Sequence, residues 1–217
     1  QFRVIAWDAP GFGGSQPCGA NTDSYARVGI ELLQALDAYP AFVVGHSMGG
    51  VVATQMAARD EKAFEKVVLS CTHLGYAQKQ SKELMSRYQK RIEELKTLTQ
   101  AEFGSLRAEK MLGDTVPAEI FTFVKELSGE ARKEGIINAG RVMQEADNSM
   151  LFSRINKPIL IIYTDNDPVV KKENTDKLIA AAPRARVVEL KNCGHAPYIE
   201  DSLRYNEVLR NFLEANY

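Results

Sequence analysis

Short apolar runs alternate along the chain with longer stretches in which apolar positions recur every three or four residues. Phe2–Trp7, Ala41–Val44, Lys66–Ser70, Pro158–Tyr163 and Ala185–Leu190 read as strands. Between the first two, Tyr25, Val28, Leu32, Leu33 and Leu36 keep helical spacing, with Asn21 to Asp23 placed to cap that helix and Pro40 ending the unit. A second helical pattern opens at Val51, Val52 and Met56, a third runs from Glu173 to Ala182, and a last one carries Tyr205, Val208, Leu209, Phe212 and Leu213. Such β-α-β-α-β alternation predicts an α/β fold: a mostly parallel sheet with helices on both faces.

The rhythm breaks after Cys71, and residues 77–147 offer no strand. Leu84, Tyr88, Ile92, Leu95 and Leu98 trace one helical stripe. Pro117 opens a second helix with Ile120, Phe121 and Val124 inward, and Ser128 caps a third running towards Ala146. Twelve Lys/Arg and twelve Asp/Glu balance across this segment. The pattern predicts a solvated helical cap at 77–147, inserted into an α/β core made of 1–76 and 148–217. Long insertions in α/β folds follow strand C-terminal ends, so the cap is expected over the site; a plain structural excursion is the alternative.

Composition narrows the classes. A formal net charge of -1 gives no electrostatic case for nucleic acid or an anionic membrane. The apolar runs are too short to span a bilayer, and no secretory signal pattern opens the chain. Cys18, Cys71 and Cys193 are odd in number and far apart, which suits a reducing cytoplasm.

The junction Gly45-His46-Ser47-Met48-Gly49 has the spacing G-x-S-x-G between a strand and a helix. A serine on so sharp a turn is held in a strained backbone, and small neighbours let strand and helix pass closely. Two further polar residues follow strand ends: Asp167 in Thr164-Asp165-Asn166-Asp167-Pro168 and His195 in Asn192-Cys193-Gly194-His195. Parallel strand ends point one way, so distant residues can meet along one edge of the sheet. A serine needs a base, and an imidazole base needs a carboxylate to hold its tautomer. Asp165 is the rival carboxylate. His46 is expected to pack the elbow and Cys193 to fill a small buried space. His73, just past a strand end, reads as a surface histidine, with substrate contact as the alternative. No His/Cys/Asp/Glu spacing suggests a metal, and no cofactor is implied. Gly11, Gly13 and Gly14 superficially match a dinucleotide loop, but the neighbouring prolines and the lack of an immediate helix argue against one.

Four segments together resemble the α/β-hydrolase superfamily, in particular its cap-bearing serine hydrolases: D-A-P-G-F-G-G-S (8–15), G-H-S-M-G-G (45–50), P-I-L-I-I-Y-T-D-N-D-P-V-V (158–170) and C-G-H-A-P-Y-I-E (193–200). The resemblance implies Ser47 as nucleophile, His195 as base and acid, and Asp167 as orienting acid, in the chain order Ser, Asp, His. It implies that the Met48 N–H donates to the oxyanion and that Phe12 and Met48 flank the pocket, with His73 a further substrate-binding candidate. The implied activity is hydrolysis of a small carboxylic ester or lactone. Carbon–carbon bond hydrolysis and cofactor-free perhydrolysis use the same triad, and some members of the fold are receptors with little turnover. The resemblance also places further strands before residue 2, with a loop that supplies a second oxyanion donor. The sheet is therefore expected to have a gap or an unusual direct pairing beside Ala41–Val44, and the oxyanion hole to be short of a donor.

Overall fold

The computed structural model describes residues 2–216. Four strands, β1 (Ala41–His46), β2 (Phe64–Ser70), β3 (Ile159–Thr164) and β4 (Arg186–Leu190), form a parallel sheet in the order β1-β2-β3-β4. α1 (Thr22–Ala35) precedes β1, and α2 (Met48–Arg59) crosses from β1 to β2 and α7 (Lys172–Ala181) from β3 to β4. A single turn, α8 (Pro197–Glu200), and a terminal helix, α9 (Ser202–Glu214), close the chain. Asn21 caps α1 as its sequence suggests, its side chain accepting from the Ser24 N–H at 2.8 Å.

Side chains alternate across the strands and divide the core into two layers. Val67, Leu69, Ile159 and Ile161 pack with α1, α2 and α7 on one face. Val68, Leu160, Ile162 and Leu190 face Tyr205 and Phe212 of α9 on the other. This two-sided burial is why Val67–Leu69 of β2 and Ile159–Ile162 of β3 are unbroken apolar runs rather than apolar at every second residue.

Phe2–Trp7 departs from the expected strand. The segment joins no ladder among the described residues; Phe2 stacks edge-on against Phe42 at 5.9 Å, and Arg3 donates to the Leu36 carbonyl at 3.1 Å. An apolar cleft of about 750 Å³ separates it from β1, lined by Ile5, Trp7, Phe42, Val44 and Met56 among others. Val44, on this unpaired edge, is 43% exposed. An apolar run needs a partner main chain before it becomes a strand, and among the described residues none pairs with this one.

Between β2 and β3 the chain forms four helices where the pattern suggested three: α3 (Ser86–Thr97), α4 (Gln100–Glu109), α5 (Ala118–Gly129) and α6 (Lys133–Glu145). Ser128 does not cap a helix; it lies inside α5, and α6 starts after Arg132. Fully buried Gln144 ties the approach to α3 onto α6, accepting from the Met85 N–H and donating to the Glu83 carbonyl, each at 2.8 Å. Asn148 ties the exit to α2, donating to the Val51 carbonyl at 3.0 Å. Among the described residues, no helix is long and apolar enough to cross a membrane.

Candidate active site

The strand registers set the site. His46 pairs with Ser70 and Ser70 with Ile162, so β1, β2 and β3 finish side by side and their exit loops share one edge. Ser47 sits at φ 52°, ψ -119°, and its N–H donates to the Ser70 carbonyl at 2.9 Å. A side chain at Gly45 would collide with the Gly49 carbonyl, and one at Gly50 would meet Thr72 Cγ2 at 2.5 Å. Gly49 borders open space, so close passage requires glycine at 45 and 50 but not at 49. Thr72 Oγ1 donates to the Ser47 carbonyl at 2.5 Å and pins the turn from the β2 side.

Ser47 Oγ lies 2.9 Å from His195 Nε2, and His195 Nδ1 lies 2.9 and 3.0 Å from the two Asp167 oxygens. The His195 and Asp167 side chains are only 4% and 6% exposed. Burial alone would raise the Asp167 carboxyl. The His195 hydrogen bond and charge, with N–H donors from Val170 and Val169, outweigh it and hold the group below the usual carboxylate range. A carboxylate at Nδ1 keeps the proton on that nitrogen and leaves Nε2 free to accept from Ser47. Asp165 turns the other way: its Oδ1 accepts from the Asn192 N–H at 2.8 Å. Met48 is the first residue of α2, where an N–H has no acceptor within the helix.

His195 is further fixed by contacts with no local sequence signal. Its own N–H donates to the Met111 carbonyl at 2.7 Å. The Glu200 carboxylate accepts from Gly194 at 2.8 Å, Ala196 at 2.9 Å and Gly113 at 2.9 Å, so it grips the histidine loop on both sides and joins it to the turn after α4. His46 packs its ring 4.8 Å from that of His195 and 4.9 Å from that of Tyr198. Burial, then repulsion from His195, lowers His46 to about 3, and its buried Nδ1 has no hydrogen-bond partner among the described residues.

The remaining candidates take no part in the Ser47–His195–Asp167 row among the described residues. Phe12 lies under α6, with its ring against Gly135. His73 is buried, 5% exposed, which corrects the surface reading. Its Nδ1 accepts from the Gly75 N–H at 2.9 Å and its ring faces that of Tyr76 at 4.6 Å. Burial and the Arg87 charge bring His73 down to about 4. Neither Phe12 nor His73 makes a hydrogen bond to the Ser47–His195–Asp167 group among the described residues. The Gly11 carbonyl accepts from Arg132 Nε at 3.1 Å, so the 8–15 loop seats the start of α6. Cys193 is buried, its Sγ 3.7 Å from the Lys191 carbonyl.

Among the described residues, one group of metal-capable side chains converges, Cys71, Asp167 and His195, with ligand atoms within 4.8 Å of one another. Cys71 adopts φ 44° and stands next to Asp167. Burial and the neighbouring carboxylate push its thiol far up, so it offers no thiolate, and the Asp167–His195 bond already uses the other two ligands.

Known proteins match over nearly the whole chain. A pimeloyl-[acyl-carrier protein] methyl ester esterase of Nitrosomonas europaea is 23% identical over 209 residues, covering 92% of this chain and 80% of that protein. A 2-hydroxy-6-oxononadienedioate/2-hydroxy-6-oxononatrienedioate hydrolase of Cupriavidus pinatubonensis is 27% identical over 228 residues, covering 98% and 76%. Among solved structures, an esterase from Exiguobacterium antarcticum superposes with a TM-score of 0.83 at 19% identity, covering 95% of this chain and 80% of its own. An enol-lactonase from Burkholderia xenovorans superposes at 0.80 and 21% identity, covering 95% and 79%. These structural likenesses share the parallel sheet and its flanking helices. A family model described as alpha/beta hydrolase fold matches residues 1–202, and the chain belongs to that family.

Proposed function

We propose that the protein is a serine hydrolase that cleaves a small carboxylic ester or lactone through an acyl-enzyme. The observation that carries this reading is the unbroken row Ser47 Oγ–His195 Nε2–His195 Nδ1–Asp167, each step at 2.9 to 3.0 Å. Relatives named as an ester esterase and an enol-lactonase agree with it.

Ser47 Oγ attacks the substrate carbonyl as its proton passes to His195 Nε2, and Asp167 balances the imidazolium charge. The carbonyl oxygen becomes an oxyanion facing the N-terminus of α2, where the Met48 N–H is aimed. His195 returns the proton to the leaving alkoxide as the C–O bond breaks. A water, deprotonated by the same nitrogen, then releases the acyl group and restores Ser47. Phe12 and Met48 supply apolar walls and His73 a polar contact to the substrate.

A serine-reactive fluorophosphonate, followed by intact mass and peptide mapping, tests the reading. One adduct on Ser47, repeated turnover of short aryl esters and loss of both in Ser47→Ala are expected. Ligand-induced stabilisation with neither adduct nor turnover would sink the enzyme in favour of a receptor.

A further inference from the structure

Helices α3 and α4 carry a group of cations that the hydrolytic row does not use. Arg87 and Arg91 lie one turn apart on α3, and Arg107 of α4 is close enough to feel the charge of both. Arg91 and Arg107 are partly buried. Arg91 rests 5.5 Å from the centroid of the Tyr88 ring, and among the described residues neither it nor Arg107 has an ion-pair partner. Among the described residues Glu94 is the acid whose charge reaches both Arg91 and Arg107, and its Oε1 is held by Lys110 at 3.1 Å. Three cations, Arg91, Arg107 and Lys110, therefore share one carboxylate. Burial and the neighbouring arginines bring Arg107 down to about 10, so it stays charged at neutral pH but at a cost that a bound anion would relieve.

Contacts run from the group to His73, and charge alone carries the link on to the site. Arg87 donates to Tyr76 Oη and lies over its ring at 5.5 Å, Tyr76 faces His73 at 4.6 Å, and His73 feels the charges of His195 and Asp167. Half-buried guanidinium groups without carboxylate partners match the planar or tetrahedral oxygens of a carboxylate or phosphate. We infer that Arg91 and Arg107, with Arg87 at the inner end, form a subsite for an oxyanion at the end of the substrate remote from its scissile carbonyl. The inference rests on the ester or lactone reading for its placement, and narrows the substrate class to esters or lactones that carry a carboxylate or phosphate.

A matched ester pair tests it: methyl pentanoate, and monomethyl glutarate, in which a carboxylate replaces the terminal methyl. The wild type should favour the anionic ester at least tenfold in kcat/KM. Arg91→Gln and Arg107→Gln should each cut that ratio about tenfold, the loss of one charge-assisted contact. Arg107→Lys, which keeps the charge, should retain most of it. Lys90→Gln, on the exposed side of α3, should leave the ratio unchanged and so exclude a general field effect. A second readout is independent of turnover: millimolar glutarate, or inorganic phosphate in a parallel series, should raise the melting temperature of the Ser47→Ala protein, and the added Arg107→Gln change should abolish the rise. Stabilisation by phosphate alone would support the subsite and assign it to a phosphate group. Wild-type ratios near one, or ratios unmoved in folded glutamine variants, together with no anion-induced stabilisation, overturn the subsite and leave the hydrolase reading standing. Arginine-dependent stabilisation without turnover of either ester sinks the hydrolase reading and keeps the subsite. Should Arg107→Gln fail to fold, Arg91→Gln carries both readouts.

Discussion

Asp165 and Asp167 stand two residues apart on one loop, and the side each faces separates their fates. Asp167 points into the site, where His195 and two backbone N–H groups hold it ionised; Asp165 closes onto the Asn192 N–H. Asp167→Asn should lower kcat on an aryl ester by about 10³–10⁴, because an amide leaves His195 in the wrong tautomer. Asp165→Asn should stay within a few-fold and lose only about 1 kcal/mol of stability, read by urea unfolding. Equal losses in the two variants would contradict this division. The meeting of Ser47, Asp167 and His195 was readable from the sequence because each follows an apolar run that must be a strand, and strand ends of a parallel sheet converge. Glu200, Tyr76 and Arg107 were not readable. Their partners are backbone donors or side chains from other elements, and no spacing records those. His73 departs from the surface reading for the same reason: a histidine three residues beyond a strand end is exposed or buried according to what the next element places over it.

At the scale of elements, the buried runs β2 and β3 are plain in the pattern, whereas Phe2–Trp7 shows that apolar content makes a strand only where a partner edge comes within hydrogen-bonding reach, and the free edge of β1 lies across a cleft from it. Helix α4 escaped notice because it lacks a strong apolar stripe, although Thr99 and Glu102 form a reciprocal capping box that its sequence carries as T-x-x-E. Lys66 is the element-scale device that no pattern betrays. It is a lysine inside the apolar run of β2, and its ammonium donates to the carbonyls of Phe212 at 3.1 Å, Leu213 at 2.5 Å and Ala215 at 2.6 Å. It therefore caps the C-terminus of α9 and opposes the negative end of its dipole. Lys66→Met keeps the stem volume but strips three carbonyls of their donor. The expected cost is about 1–3 kcal/mol, seen as a lower melting temperature with faster hydrogen exchange confined to the last turn of α9. An unchanged melting temperature would mean that water replaces the ammonium without penalty.

At the scale of the whole molecule, the site places a load on acid stability. His46 and His73 are kept neutral by burial, lowered to about 3 and about 4, while an unfolded chain returns both to about 6.5. Between roughly pH 6.5 and 4 the unfolded state therefore binds up to two more protons than the native state. Stability must rise with pH across this window and fall as the solution is acidified, by about 1.4 kcal/mol per pH unit for each histidine once well below 6.5. Asp167 acts in a different window. Its lowered value gives stability that is full above the ordinary aspartate range and is lost only as pH falls through the folded value, so it adds little between pH 6.5 and 4.5. Urea unfolding at pH 6.5, 5.5 and 4.5 should show a decline that steepens between the last two points. His73→Gln cannot titrate and should flatten that decline by about one proton's worth, about 1.4 kcal/mol per unit, whatever it does to stability at pH 7. The variant serves as its own reference for the surface carboxylates, which titrate alike in both proteins. If its slope equals that of the wild type, His73 is already charged in the native state, and the burial that brings it beside Tyr76 is not holding it neutral.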